Sequence, residues 1–112
     1  MTIFEKISAR EIPAQIVLET EEFLAFHDVN PQAPTHVLIV PKRVISRLAE
    51  AQPTDAELLG RMLVVTGDVA RRCGIAESGF RVVINSGHDG GESVPHLHIH
   101  VLGGRPMQWP PG

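Results

Sequence analysis

Five short segments of the chain carry the apolar patterns that are typical of β-strands. They read "QIVLET", "EFLAFHD", "THVLIVPK", "FRVVINS" and "HLHIHVLG". The third is a compact β-branched run that Pro41 closes, and it is predicted to lie in the middle of a sheet. The loop between the last two segments is too short for a crossover helix, so these two strands are predicted to be antiparallel.

Two segments show helical rather than strand periodicity. "TIFEKI" predicts a short helix with Thr2 and Glu5 as a capping box, and "TDAELLGRMLVVTGDVARRCG" predicts one long helix. Thr54 and Glu57 are placed as a second capping box, and Gly74 is a natural C-terminal stop. One stripe of the long helix is apolar and is predicted to be core: Leu58, Met62, Val65, Val69 and Cys73, with Leu59, Leu63 and Ala70 beside it. The predicted fold is α+β, a mostly antiparallel five-stranded sheet with one long and one short helix.

Composition limits the class of protein. A chain of 112 residues with 43% hydrophobic and 21% charged residues suits a single domain, residues 1–112. A net charge of −3 makes nucleic acid an unexpected partner. One cysteine permits no intrachain disulfide, "MTIFEKISAREIP" is not a signal peptide, and no segment could span a membrane. A cytoplasmic location with no membrane partner is therefore expected.

The stretch "VPHLHIHVLGG" holds half of the six histidines, at alternate positions. On a strand, His96, His98 and His100 would share one face, about 6.5–7 Å apart at Cα. Leu97 and Ile99 would then point to the opposite face and pack in the core. The strand is therefore predicted to carry an apolar face and an imidazole face.

Three interpretations of the imidazole face compete. It could be the solvent-facing side of an edge strand, although such faces usually carry Lys, Glu and Thr. It could bind zinc, as His-x-His pairs do, but three successive histidines converge poorly on one ion and the strand holds no further ligand. It could act on phosphorus, with a neutral imidazole as nucleophile and a protonated neighbour stabilising the phosphoryl oxygens. In that case the central His98 is the nucleophile.

The loop "GHDGGESVP" precedes the histidines and could bind a phosphate. Gly90 and Gly91 permit backbone conformations that turn N–H groups toward an anion, and Ser93 adds a hydroxyl. Most glycine-rich loops are simple turns. The chain has no Gly-Lys-Ser/Thr element of a P-loop and no acidic cluster that suggests magnesium.

The motif "HLHIHVLGG" resembles the signature of the histidine triad (HIT) superfamily. The likeness extends over "TIFEKI", "EIPAQIV", "LAFHDVNPQAPTHVLIVPK", "RVVINSG" and "DGGESVPHLHIHVLGGRPMQWPPG", and the terminal "WPPG" is similar to the HINT branch, the purine nucleoside phosphoramidases. The resemblance implies a homodimer whose sheets join into one. It implies hydrolysis of the P–N bond in nucleoside 5′-phosphoramidates, namely AMP- or GMP-linked amines, and extends to aminoacyl adenylates. It implies no cofactor and no metal.

The resemblance also implies roles for particular residues. His98 would attack phosphorus and form a nucleotidyl-histidine, His96 would orient it, and His100 would contact the phosphate or assist the leaving group. The remaining catalytic residues would be His36 and Ser93. The phosphate region would be bound by Asn85, Ser93 and the backbone of Gly91, and the ribose by Asp28. The base pocket would be lined by Ile3, Phe4, Ile7, Phe26, His27 and Val29. Trp109, in the tail, would belong to the leaving-group region of the partner's site.

The sequence is also compatible with purely structural roles for these residues and with other functions. By themselves, Asp28 and Asn85 are typical turn residues, and Phe4 and Phe26 are typical core residues. A dinucleoside polyphosphate hydrolase would use the same chemistry with another leaving group, although "WPPG" disfavours it. A nucleotidyltransferase would usually carry Gln in place of His100. From a different class, the chain could be a purine nucleotide-binding or zinc-binding scaffold without turnover.

Overall fold

The computed structural model describes residues 1–112, which form two α-helices, five strands and two short 3-10 turns. The elements, in chain order, are α1 (Ile3–Ser8), β1 (Ile16–Glu19), β2 (Phe23–His27), β3 (Thr35–Pro41), the 3-10 turns Leu48–Glu50 and Pro53–Asp55, α2 (Ala56–Arg72), β4 (Phe80–Val83) and β5 (Ile99–Gly103). Neither helix has the length and apolar character that crossing a membrane requires.

The five strands form one sheet in the order β1-β2-β3-β5-β4, and every neighbouring pair is antiparallel. The predicted α+β fold is therefore confirmed, and β3 is the central strand. The register of β3 with β5 places His36 opposite Leu102 and Leu38 opposite His100. This pairing brings residues from the two halves of the chain to one face of the sheet.

Alternation along the strands divides the core between the two faces of the sheet. The larger cluster lies under α2: Phe23, Ala25, Val37, Ile39, Met62, Val65, Val69, Ala70, Ile75, Ile99 and Val101. The smaller cluster lies under α1: Phe4, Ile7, Leu24, Phe26, Leu38 and Val40. Cys73 is half-buried against the larger cluster and burial raises the pKa of its thiol, as expected for a small hydrophobe rather than a nucleophile.

The start of α2 differs from the sequence prediction. Thr54 lies in a 3-10 turn and the helix begins at Ala56, so the predicted Thr54–Glu57 capping box does not form. The buried carboxylate of Asp55 instead accepts the backbone N–H of Gln52 at 2.8 Å and pairs with Arg43. Leu63, predicted beside the apolar stripe, is 53% exposed because it lies on the outer side of the helix. Gly74, with φ of 73°, follows the helix as predicted.

The last strand is shorter than predicted. It begins at Ile99, so His96 and His98 precede the hydrogen-bonded strand and only His100 lies within it. The β3–β5 pairing begins at Ile39 opposite Ile99, although β3 continues to Pro41 beside β2. The amide of Leu97 then donates to the carbonyl of Ile45 at 2.6 Å rather than to β3. The imidazoles are therefore held by side-chain hydrogen bonds as well as by the pleat of a strand.

Candidate active site

A cavity of about 260 Å³ opens between α1, the end of β2 and the histidines. It is lined by Ile3, Phe4, Ile7, Ile12, Pro13, Ala14, Phe26, His27, Asp28, Val29, Leu38, Ser93, Val94, His98 and His100. Every residue proposed for the base and ribose is among them. No feature of the sequence separates the other lining residues from ordinary core, so they were not predicted: Ile12, Pro13, Ala14, Leu38 and Val94. Phe4 meets the ring of His98 edge-on at 4.9 Å between centroids, so one wall of the cavity is aromatic.

The position of the proton on His98 follows from its partner. Nδ1 lies 2.7 Å from the carbonyl oxygen of His96, and a carbonyl only accepts, so Nδ1 carries the hydrogen. The neutral ring therefore keeps its lone pair on Nε2. Burial lowers the pKa of His98, against an opposing hydrogen bond to His96, so the ring is neutral near pH 7. A buried neutral imidazole with one free nitrogen is a competent nucleophile.

His96 has no free ring nitrogen. Nε2 lies 2.8 Å from the carbonyl oxygen of Pro41 and therefore donates to it. Nδ1 accepts from the hydroxyl of Thr2 at 3.0 Å, and the same oxygen caps α1 by accepting the N–H of Glu5. His96 is 1% exposed. It is therefore a positioning residue that ties β3 and α1 to the backbone carbonyl on which His98 depends.

His36 and His100 form a hydrogen-bond relay with Gln32. The backbone N–H of Gln32 donates to Nδ1 of His36 at 3.0 Å, so the hydrogen of the neutral His36 ring is on Nε2. That Nε2–H faces Nδ1 of His100 at 2.9 Å. Nε2 of His100 is then left as a hydrogen-bond donor. Both histidines were predicted from the sequence, but Gln32 was not, because its contribution comes from the backbone.

His100 is neutral near pH 7. Burial, followed by the neighbouring His98 and His36, lowers the pKa of His100 to about 4. Burial likewise lowers the pKa of His36, although Asp28 opposes it. A protonated neighbour of His98, which the phosphorus interpretation expects, is therefore not found near pH 7. The arrival of a phosphate would be needed to favour that charge.

Asp28, for which the sequence left a turn role and a ribose-binding role open, makes a local turn contact and also lines the cavity. Its Oδ1 accepts the backbone N–H of Asn30 at 2.8 Å, which is a local turn contact. Its Oδ2 lies 3.5 Å from Nε2 of His36, and the side chain also lines the cavity. The carboxylate is thus held at the rim of the cavity by its own turn.

Asp28, His36 and His100 present three potential metal-ligand atoms within 4.8 Å of one another. Their chemistry does not fit a metal ion. The Gln32 N–H places the hydrogen of His36 on Nε2, where a metal would need the lone pair. Ligand atoms around tetrahedral zinc lie about 3.3 Å apart, whereas the two ring nitrogens are 2.9 Å apart, as in a hydrogen bond. His36 and His100 therefore belong to the hydrogen-bond relay with Gln32 and not to a metal site.

The loop before the histidines is closed on itself. The Asn85 side chain donates to the carbonyl of Gly90 at 2.7 Å. The amide of Gly91 donates to the carbonyl of His88 at 3.1 Å and is not free as the loop stands. Ser93, in contrast, lines the cavity. Of the three groups predicted for the phosphate, the structure brings only Ser93 to the cavity wall, and the other two brace the loop.

The predicted tail residue lies away from this cavity. Trp109 is 82% exposed and is not among the residues that line it. The preceding carbonyl, of Gln108, accepts from the Arg81 guanidinium of β4 at 2.8 Å. The tail is therefore attached to an edge of the sheet.

Comparison with known proteins identifies the family of this chain. The family model described as HIT domain matches residues 9–107. A relative named as a 14 kDa zinc-binding protein of Zea mays is 53% identical over 99% of this chain and 88% of its own. The crystal structure of a HIT family hydrolase from Legionella pneumophila Philadelphia 1 superposes with a TM-score of 0.97, at 46% identity and 100% coverage of both chains. A histidine triad nucleotide-binding protein from Candida albicans has a TM-score of 0.81 at 30% identity, covering 90% of this chain and 73% of that one. The chain belongs to the HIT domain family.

Proposed function

We propose that the protein hydrolyses the P–N bond of purine nucleoside 5′-phosphoramidates without a metal, as in the HINT branch of the family. The observation that carries the proposal is the 2.7 Å hydrogen bond from Nδ1 of His98 to the carbonyl of His96. It leaves the lone pair of Nε2 available at the wall of a cavity that has an apolar base and a polar rim. The fold shared with a HIT family hydrolase supports the same reaction class.

The reaction has two displacements at phosphorus. In the first, Nε2 of His98 forms a bond to phosphorus as the P–N bond of the substrate breaks, and the amine leaves with a proton. In the second, water attacks phosphorus and gives a proton to the group that supplied one to the amine, the P–Nε2 bond breaks, and the nucleoside monophosphate is released. The Nε2–H of His100 is placed to donate to a phosphoryl oxygen or to the leaving nitrogen. Ser93, which also lines the cavity, would add a hydroxyl donor to the phosphate.

The cavity suits a purine nucleoside better than a charged ligand. Its walls are mainly apolar, with Ile3, Phe4 and Phe26 on the side of α1 and β2. A purine base would pack between them, and Asp28 at the rim would accept hydrogen bonds from ribose hydroxyls. The phosphate would then lie between His98, His100 and Ser93. The nucleotide-binding relative from Candida albicans supports this class of ligand.

The proposed active protein is a homodimer. Strand β4 is an outer strand of the sheet, so its free edge can pair with a second copy. Leu63 and Val64 leave apolar surface on the outer side of α2, at 53% and 70% exposure. The tail is attached to β4, which would put Trp109 at the junction and within reach of the partner's leaving-group region.

The test is turnover of adenosine 5′-phosphoramidate by protein stripped with a chelator, beside His98→Ala. We expect release of AMP by the unaltered protein and a loss of several orders of magnitude in the variant. A covalent adduct of AMP mass, trapped by acid quench and mapped to His98, would support the intermediate. If the variant kept most of the activity, or if turnover required added zinc, the proposal would be wrong. Binding of AMP without any turnover would favour the scaffold alternative.

A further inference from the structure

Glu92 organises the loop that precedes the histidines. Its Oε1 accepts the backbone N–H of Gly87 at 2.9 Å, and its own N–H donates to the carbonyl of Gly87 at 3.1 Å. Two hydrogen bonds between the same pair of residues close residues 87–92 into a ring. The carboxylate is mostly buried, with 12% of the side chain exposed. The next residue is Ser93, which lines the cavity.

Arg47 holds the same carboxylate from outside the loop. Its Nε lies 2.9 Å from Oε1 and its Nη2 3.2 Å from Oε2, a bidentate pair. The backbone on either side of Arg47 is fixed to the same region of the chain. The carbonyl of Ile45 accepts from Leu97, and the amide of Ala49 donates to the hydroxyl of Ser86 at 3.2 Å. Residues 45–49 thus hold the loop before, at and after Glu92.

The charge of Glu92 matters because it lies one residue from a proposed phosphate contact. The hydrogen bonds from Arg47 and then Gly87 lower the pKa of Glu92, so the carboxylate is ionised. Its field reaches the nucleophile: burial dominates and lowers the pKa of His98, while Glu92 is among the weaker contributions that raise it. An unpaired carboxylate here would repel a phosphate. Arg47 compensates that charge without itself lining the cavity.

We propose that Arg47 and Glu92 are a positioning pair, which shapes the loop that carries Ser93 and neutralises the carboxylate beside the bound phosphate. The inference rests on the proposed function for the place of the phosphate. It predicts that the pair affects ligands that carry a 5′-phosphate and does not affect the nucleoside alone. A merely structural role would weaken the binding of both ligands together.

The experiment is calorimetric titration of AMP and of adenosine into the full-length protein and four variants. In Arg47→Met, the carboxylate stays and loses its partner, so we expect AMP affinity to fall roughly tenfold, with adenosine affinity unchanged. In Glu92→Gln, the amide oxygen can still accept from Gly87 and no uncompensated carboxylate remains, so AMP affinity should fall less than in Arg47→Met. The double variant Arg47→Met/Glu92→Gln should recover most of the loss, because the uncompensated charge is gone.

Arg43→Met is the matched control. Arg43 pairs with Asp55 in the same connecting segment and has no hydrogen bond or ion pair with the loop, so both affinities should be unchanged. Thermal unfolding of each variant separates misfolding from a specific effect. Equal losses for AMP and adenosine in Arg47→Met, no loss at all, or a double variant no better than the single one would each overturn the positioning pair. Unaltered protein that binds AMP without phosphoramidate turnover would overturn the hydrolase and leave the test of the pair intact. Failure of the unaltered protein to bind AMP would overturn both.

Discussion

The hydroxyl of Thr2 lies 3.0 Å from Nδ1 of His96, although the two residues are 94 positions apart in sequence. One oxygen therefore caps α1 and holds the ring of a triad histidine. Because the backbone carbonyl of His96 in turn accepts from His98, the N-terminal helix is connected to the proposed nucleophile through two hydrogen bonds. Thr2 should therefore influence both the free energy of unfolding and the activity.

Thr2→Ala should therefore affect both properties. We expect a loss of about 1 kcal/mol of unfolding free energy from the missing cap, together with a severalfold fall in kcat/KM because His96 loses one partner. Thr2→Ser keeps the hydroxyl and should behave like the unaltered protein. Denaturant titration and initial rates provide the two measurements. A destabilised Thr2→Ala variant with full kcat/KM would show that the helix cap and the site are independent.

The relay through His36 should be visible in kcat. In His36→Leu, His100 loses the donor that fixes its tautomer, so we expect kcat to fall about 10–100-fold with a smaller change in KM. Gln32→Ala is the control, since the donor to His36 is the backbone amide, which this substitution keeps. Equal rates in His36→Leu and the unaltered protein would contradict the relay.

Activity should persist into mildly acidic conditions. His98 must be neutral to attack, and burial lowers its pKa below the ordinary value of 6.5. The acid limb of the kcat/KM profile should therefore fall below pH 6.5. A limb above that value would mean that His98 is not the titrating nucleophile.

The free energy of unfolding should also decrease at acid pH, because His100 is half-buried. The pKa of His100 is lowered to about 4, so the folded protein takes up its proton less readily than the unfolded chain. The unfolded chain therefore binds more protons than the folded protein between pH 6.5 and pH 4. The free energy of unfolding is at its full value above pH 6.5 and decreases as the pH falls from 6.5 toward 4. His100→Asn should flatten that part of the stability curve, whereas His88→Asn, at a fully exposed loop position, should not. Identical slopes in all three proteins would contradict the lowered pKa.

Removal of metal should leave the rate unchanged. The backbone N–H of Gln32 places the hydrogen of the His36 ring on Nε2, so this nitrogen has no lone pair for a metal. We therefore expect the turnover rate of chelator-treated protein to lie within about twofold of that of untreated protein. Zinc titration should show no site tighter than about 1 μM. One equivalent of tightly bound zinc that disappears in Asp28→Asn would instead assign this cluster as a metal site.

The proposed dimer makes a prediction about the outer side of α2. Leu63→Glu places a charge on exposed apolar surface and should shift the protein from dimer to monomer in light scattering after size exclusion. Leu48→Glu, which alters another exposed leucine on a 3-10 turn, should not. A monomeric unaltered protein would contradict the proposal directly.

Local features of this chain were predictable because they depend on near neighbours. Five strands follow from short apolar runs, and the capping box of α1 follows from two residues three apart. The Thr54–Glu57 box failed for a tertiary reason, because Asp55 is buried and committed to Gln52 and Arg43. The motif identified the three histidines, but a strand alone cannot explain how two of them are held outside the sheet.

The sequence by itself determined the fold class, the family resemblance and the residue types around the cavity. The tertiary structure decided which ring nitrogen of each histidine carries a hydrogen. That choice depends on partners such as the backbone N–H of Gln32 and the backbone carbonyl of Pro41. It also decided that Arg47 meets Glu92, 45 positions away. Periodicity and caps are short-range properties of a chain, whereas hydrogen-bond partners of buried polar groups are chosen only when distant segments pack together.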